Sequence, residues 1–82
     1  MDVIIKLHGS LRRYGPPSVR EAGHNPFTLT MAEGATVGIL LEELKIAEEI
    51  VSAVAVNGQQ AEQQTVLSDG DTVHLFPPAA GG

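Results

Sequence analysis

Sustained helical periodicity occurs in one place along this chain. Val37, Leu40, Leu41 and Leu44 fall at i, i+3, i+4 and i+7, with Glu42, Glu43 and Lys45 on the opposite side. Thr36 stands just before them, where its hydroxyl oxygen can accept a free N–H of the first turn. Gly38 inside the helix costs about 1 kcal/mol relative to alanine, so packing must hold the helix. The other apolar residues alternate with polar ones. A single amphipathic helix has one stripe to bury, and half-buried strands have one face each, so the economical solution is one sheet with one helix laid across it.

The strands follow from the alternation. Val3, Ile5 and Leu7 are expected inward, with Ile4, Lys6 and His8 outward. Phe27, Leu29 and Met31 alternate with Thr28 and Thr30, giving a second strand antiparallel to the first. Glu33-Gly34 turns into the helix, and Ile46 to Ile50 read as a connecting turn. Ala53 to Val56 form a third strand with Val54 and Val56 inward, and Asn57-Gly58 turns it into a short return near Gln59 to Ala61. After the turn at Asp69-Gly70-Asp71, Thr72 to Phe76 make the last strand, with Val73 and Leu75 inward and His74 and Phe76 outward. Residues 9–26 carry Gly15-Pro16-Pro17, Gly23 and Asn25-Pro26 and read as loop, with a helical turn at Leu11 to Tyr14. A loop of that size in a small domain is functional or mobile.

Eighty-two residues hold one small core. The chain has no cysteine, which removes disulfides, thiol nucleophiles and zinc-thiolate sites. Ten acidic against five basic residues give a net charge of −5. That balance argues against nucleic acid and favours encounter with a basic protein. No signal-peptide pattern is seen and no apolar run approaches the ~20 residues of a membrane span, so a cytoplasmic location is expected. His8 and His74 are neighbours if the outer strands pair, but two imidazoles without further ligands make a poor zinc site. No metal is expected. Glu42, Glu43, Glu48 and Glu49 read as solvated carboxylates rather than a catalytic pair.

The last residues are Phe76-Pro77-Pro78-Ala79-Ala80-Gly81-Gly82. Proline at 77 and 78 stops the sheet, since neither offers an N–H to a ladder. Ala79, Ala80, Gly81 and Gly82 then make a thin end. Six extended residues from Pro77 reach about 20 Å at roughly 3.3 Å each. Such an end suits a carboxylate that enters a narrow channel; a frayed terminus is the bland alternative.

Four segments resemble the sulfur-carrier family that contains the molybdopterin synthase small subunit (MoaD) and the thiamine carrier (ThiS). They are Leu7-His8-Gly9-Ser10-Leu11-Arg12, Gly34-Ala35-Thr36-Val37 with Leu40-Leu41, Val54-Ala55-Val56-Asn57-Gly58, and Leu67 to Val73 running into the diglycine end. The resemblance implies an α+β, ubiquitin-like β-grasp with a mixed four- to five-stranded sheet, one helix on one face and a flexible C-terminal tail. Residues 1–76 would be the domain and 77–82 the tail. It also implies that an E1-like enzyme adenylates Gly82 with ATP and that a thiocarboxylate follows, the Phe-Pro-Pro-x-x-Gly-Gly ending pointing to the molybdopterin branch.

The chain has no Gly-rich loop with Lys to hold ATP. It is therefore expected to act as carrier and co-substrate, not as an enzyme, with no cofactor of its own. The family docks the uncovered sheet face on the activating enzyme and on the synthase large subunit. Here that face would carry Ile4, His8, Ala55, His74 and Phe76, with His8 where the family often has a bulky apolar residue. Carriers for thiamine, cysteine or a tungsten cofactor, a ubiquitin-like modifier joined to lysines, and an interaction module never activated are the other readings.

Overall fold

A computed structural model describes residues 1–78. Its strands are β1 (Asp2–Leu7), β2 (Phe27–Thr30), β3 (Ala53–Val56), β4 (Gln59–Ala61) and β5 (Thr72–Phe76), and its α-helices are α1 (Pro17–Arg20) and α2 (Val37–Leu44). One five-stranded sheet has the order β2-β1-β5-β3-β4. The β1–β5 pair is parallel and the other pairs are antiparallel, so the sheet is mixed. The expected β-grasp architecture is the observed one.

The expected inward residues are inward. Val3, Ile5, Val73 and Leu75 are wholly buried, and they pack in one cluster with Val37, Leu40 and Leu41 of α2. Eight residues are too few to be helical alone, and α2 is held at both ends. Thr36 caps it, its Oγ1 accepting from the Ile39 N–H at 3.3 Å. The Val37 and Gly38 N–H groups donate to the Thr65 and Gln63 carbonyls at 3.0 and 2.9 Å. A Cβ on Gly38 would stand 3.4 Å from the Gln63 oxygen, an ordinary contact, so the approach of this segment does not depend on glycine. At the other end Lys45 takes a left-handed conformation (φ 59°), and Ile46 turns back into the core.

The turns are tied to one another. Asn57 and Gly58 have positive φ, as a two-residue hairpin turn demands. The Asn57 side chain donates to the Asp71 carboxylate at 2.8 Å and accepts from the Thr72 N–H at 2.9 Å. The same carboxylate accepts from the Ser68 N–H at 2.8 Å.

Residues 9–26 are more structured than a loop reading implies. A 3₁₀ helix runs from Gly9 to Tyr14, α1 follows, and Leu11 and Val19 are buried. The Asn25 side chain bonds both the N–H and the carbonyl of Leu7, at 3.2 and 2.6 Å. An amide with a donor and an acceptor thus continues the edge of β1 after its pairing with β2 ends at Ile5–Phe27. Helical turns closed by two prolines and a glycine carry too few periodic residues to be seen as pattern, which is why sequence reading placed only one turn here.

Candidate functional site: the tail root and the uncovered sheet face

The side chains that alternate away from α2 line the other face of the sheet. On β1 they are Ile4, Lys6 and, just past its end, His8; on β5 they are His74 and Phe76; on β3 they are Ala53 and Ala55. The register sets Lys6 and Ala55 on either side of His74, and Ala53 beside Phe76. All five residues expected on this face, Ile4, His8, Ala55, His74 and Phe76, are half-buried.

Three of them form one cluster. His8 Nε2 and His74 Nδ1 are 2.9 Å apart, within hydrogen-bond distance. The His8 ring lies 4.4 Å from the Phe76 ring at 11° and 5.2 Å from the His74 ring at 21°. His74 and Phe76 are 6.2 Å apart at 13°. The rings are near-parallel slabs, a favourable arrangement for offset aromatic contact. Partial burial holds the His8 imidazole below its ordinary pKa, and the adjacent His74 and Lys6 push the same way. His24 is elsewhere, exposed in the segment before β2. Among the described residues, no group of three or more His, Asp or Glu is placed to hold a metal ion.

The sheet ends beside this cluster, and the exit of the chain is built from residues that sequence reading did not single out. Phe76 O accepts from the Ser52 N–H at 2.8 Å, and Ser52 Oγ donates to Pro77 O at 2.7 Å. On the other side is Gly9, with φ +54°; a Cβ there would stand 2.9 Å from Pro77 Cγ. Pro77 is therefore half-buried between a serine and a glycine. Glycine directly after an outward strand residue was the one signal for Gly9. Nothing marks Ser52, an isolated polar residue before a strand. Pro78 is exposed, and Ala79, Ala80, Gly81 and Gly82 lie outside the described residues.

The ThiS family model matches residues 18–82. The chain belongs to the ThiS family. Its members are small ubiquitin-like sulfur carriers, and the match runs from α1 through the last glycine. Among solved structures it is similar to the thiamine biosynthesis protein ThiS of Geobacter metallireducens, with 28% identity, full coverage of both chains and a TM-score of 0.60. It is likewise similar to a Pyrococcus furiosus protein described as molybdopterin converting factor subunit 1. There the identity is 27% over 95% of this chain and 98% of the other, with a TM-score of 0.65. SAMP1 of Haloferax volcanii shares the fold at 23% identity, full coverage of both chains and a TM-score of 0.67. No curated protein matches the sequence significantly. No helix among the described residues is long and apolar enough to cross a membrane.

Proposed function

We propose that this ThiS-family chain carries sulfur on the carboxyl group of Gly82, in molybdopterin synthesis. The observation that carries the reading is the family match extending through residue 82, on a chain whose last strand ends in Phe76-Pro77-Pro78. A carboxylate resists attack until one oxygen becomes a leaving group. One Gly82 oxygen attacks the α-phosphorus of ATP on an E1-like partner, the bond to pyrophosphate breaks, and an acyl-adenylate results. Hydrosulfide released by a sulfur donor then adds to the carboxyl carbon, AMP leaves with the bonding electron pair, and loss of the sulfur-bound proton leaves a thiocarboxylate. The chain supplies the carboxylate and the means of delivering it, while activation belongs to the partner.

Delivery has two parts. The face of Ile4, His8, Ala55, His74 and Phe76 docks the body on the E1-like enzyme and then on a large subunit; the likeness to a protein described as subunit 1 of an assembly supports the second partner. The tail does the reaching. With Pro77 held by Ser52, the five residues beyond it span about 17 Å at roughly 3.3 Å each. Docking on the face therefore limits where Gly82 can act.

Phe-Pro-Pro before the two alanines favours molybdopterin over thiamine, although identities of 27% and 28% to one neighbour of each kind do not separate them. Mass spectrometry of the protein from its own cells tests the reading: oxygen-to-sulfur exchange at Gly82 is expected. Gly-Gly remnants on lysines of other proteins would instead make the chain a modifier. An unchanged carboxylate, after incubation with the E1-like enzyme, ATP and a sulfur donor, would overturn the carrier reading.

A further inference from the structure

The chain is acidic as a whole, at −5, yet its basic groups collect at one end. Of its five Lys and Arg residues, Lys6 is beside His74 on the uncovered face, and Arg12, Arg13 and Arg20 line an open concavity of about 340 Å³ that starts at Gly9. Gly9 is also where Pro77 leaves the sheet. Only Lys45, at the C-terminal cap of α2, is placed elsewhere. The carboxylates of Glu42 and Glu43 are on α2, across the sheet from the rings, and those of Asp69 and Asp71 belong to the turn before β5. Glu48 and Glu49 are exposed on the turn before Ser52. Net charge alone thus misses an uneven distribution, in which four of the five basic residues lie toward this end, with Glu21 beside Arg20.

Within this basic end, the His8–His74 contact has a chemical consequence. The contact uses one nitrogen of each ring, and a hydrogen bond between two imidazoles needs a lone pair on one of them. Two imidazolium rings have no lone pair, so the pair can hold one extra proton and keep its bond, but not two. When the pair is neutral its two outer nitrogens, His8 Nδ1 and His74 Nε2, are one donor and one acceptor. With one proton added, both are donors. Neither has another hydrogen-bond partner among the described residues. Phe76 stacks on His8 and holds the ring in place.

The groups around the pair are Lys6 from β1 and the uncharged Ala53 and Ala55 from β3, while Arg12 and Arg13 line the neighbouring concavity at Gly9. Arg13 also donates to the Tyr14 hydroxyl at 3.2 Å. Burial holds His8 low, and His74 and Lys6 oppose an added proton there as well. Only an incoming negative charge reverses that balance.

We propose that the uncovered face docks an acidic protein surface, separate carboxylates of which accept from the two outer nitrogens, His8 Nδ1 and His74 Nε2, and that docking takes up one proton into the pair. The identity of that partner as the adenylating enzyme rests on the carrier reading. Binding then tightens as pH falls, by up to about tenfold per pH unit for one proton.

The test is calorimetric titration of the full chain into the purified E1-like enzyme of the same organism, between pH 6 and 8, in two buffers of different ionisation enthalpy. Uptake of one proton is expected for the natural chain and none for His8→Phe, which keeps an apolar ring against Phe76. If that variant fails to fold, His74→Gln gives the same comparison. Binding without proton uptake, or uptake that persists in the variants, overturns the proposal while a thiocarboxylated Gly82 leaves the carrier reading intact. Absence of both binding and thiocarboxylate overturns the two together.

Discussion

Gly9→Ala is the sharpest probe of how the tail is aimed, because one methyl group meets two obstacles. The backbone at Gly9 has φ +54°, a left-handed conformation that costs an L-residue about 1–2 kcal/mol. The new Cβ would also stand 2.9 Å from Pro77 Cγ. Overpacking of this kind costs about 1–3 kcal/mol; Pro77 is half-buried and only one of its ring carbons is overlapped, so the lower end applies. The sum is about 2–3 kcal/mol, against roughly 4–12 kcal/mol for a domain of this length. Urea unfolding measures it as a fall in the midpoint at constant slope. Combining it with Pro77→Ala separates the two terms, because removing the proline ring relieves the overlap but not the backbone strain. The double variant should be more stable than the sum of single effects predicts, by about 1 kcal/mol. The rate of thiocarboxylate formation should fall in Gly9→Ala and recover in part in the double variant. Strict additivity, with an unchanged rate in Gly9→Ala, would refute the idea that Gly9 and Pro77 together aim the tail.

Other substitutions test other parts of the argument. Leu40→Ala empties a wholly buried position under the sheet and should cost about 2–5 kcal/mol by urea unfolding. Gly38→Ala should be neutral or stabilising by up to about 1 kcal/mol, because its Cβ finds 3.4 Å to the Gln63 oxygen; a clear loss would mean that the α2 start is tighter than this. Gly82→Val should abolish thiocarboxylate formation and leave the unfolding curve unchanged, which activation assays and urea melts check together. Stability should fall with pH below the ordinary histidine value of 6.5, because the unfolded chain protonates His8 before the folded one does. In His8→Phe that component should vanish from the pH profile of the urea midpoint.

What the sequence revealed depended on whether a residue's role repeats. Val3, Ile5, Leu7, Val73 and Leu75 repeat every second position and Val37, Leu40 and Leu41 every third or fourth, so their burial and the layer they form were legible in advance. The same alternation put His8, His74 and Phe76 on one surface. It could not bring His8 Nε2 within 2.9 Å of His74 Nδ1, because that needs the parallel β1–β5 register, a relation between residues 66 apart in the chain. Ser52 and Gly9 act at one place each, through hydrogen bonds to the Phe76 and Pro77 carbonyls and through a single missing Cβ, and leave no period to read. The arginine concavity was hidden for a related reason. Arg12, Arg13 and Arg20 are separated by Gly15-Pro16-Pro17, which read as a break but folds as the bend that brings α1 back over the 3₁₀ helix.

That difference also bears on how a carrier of this kind acquires its partners. The inward residues of β1 and β5 are committed to α2: any polar substitution there buries an unpaired group at a cost of several kcal/mol. The outward residues have no such commitment. His8 and His74 are half-buried and bonded mainly to each other, so exchanging them costs the fold little and changes the surface greatly. Partner choice can therefore be rewritten at positions 6, 8, 74 and 76 without touching the core. The tail cannot be rewritten so freely, since its root is wedged between Gly9 and Ser52 and its reach is set by five residues. Grafting His8 and His74 onto a related carrier with apolar residues there should transfer the pH dependence of docking while leaving its unfolding free energy at pH 7.5 within about 0.5 kcal/mol of the parent, the range usual for surface substitutions. A graft that destabilised the fold, or that docked without proton uptake, would show that face and core are not independent.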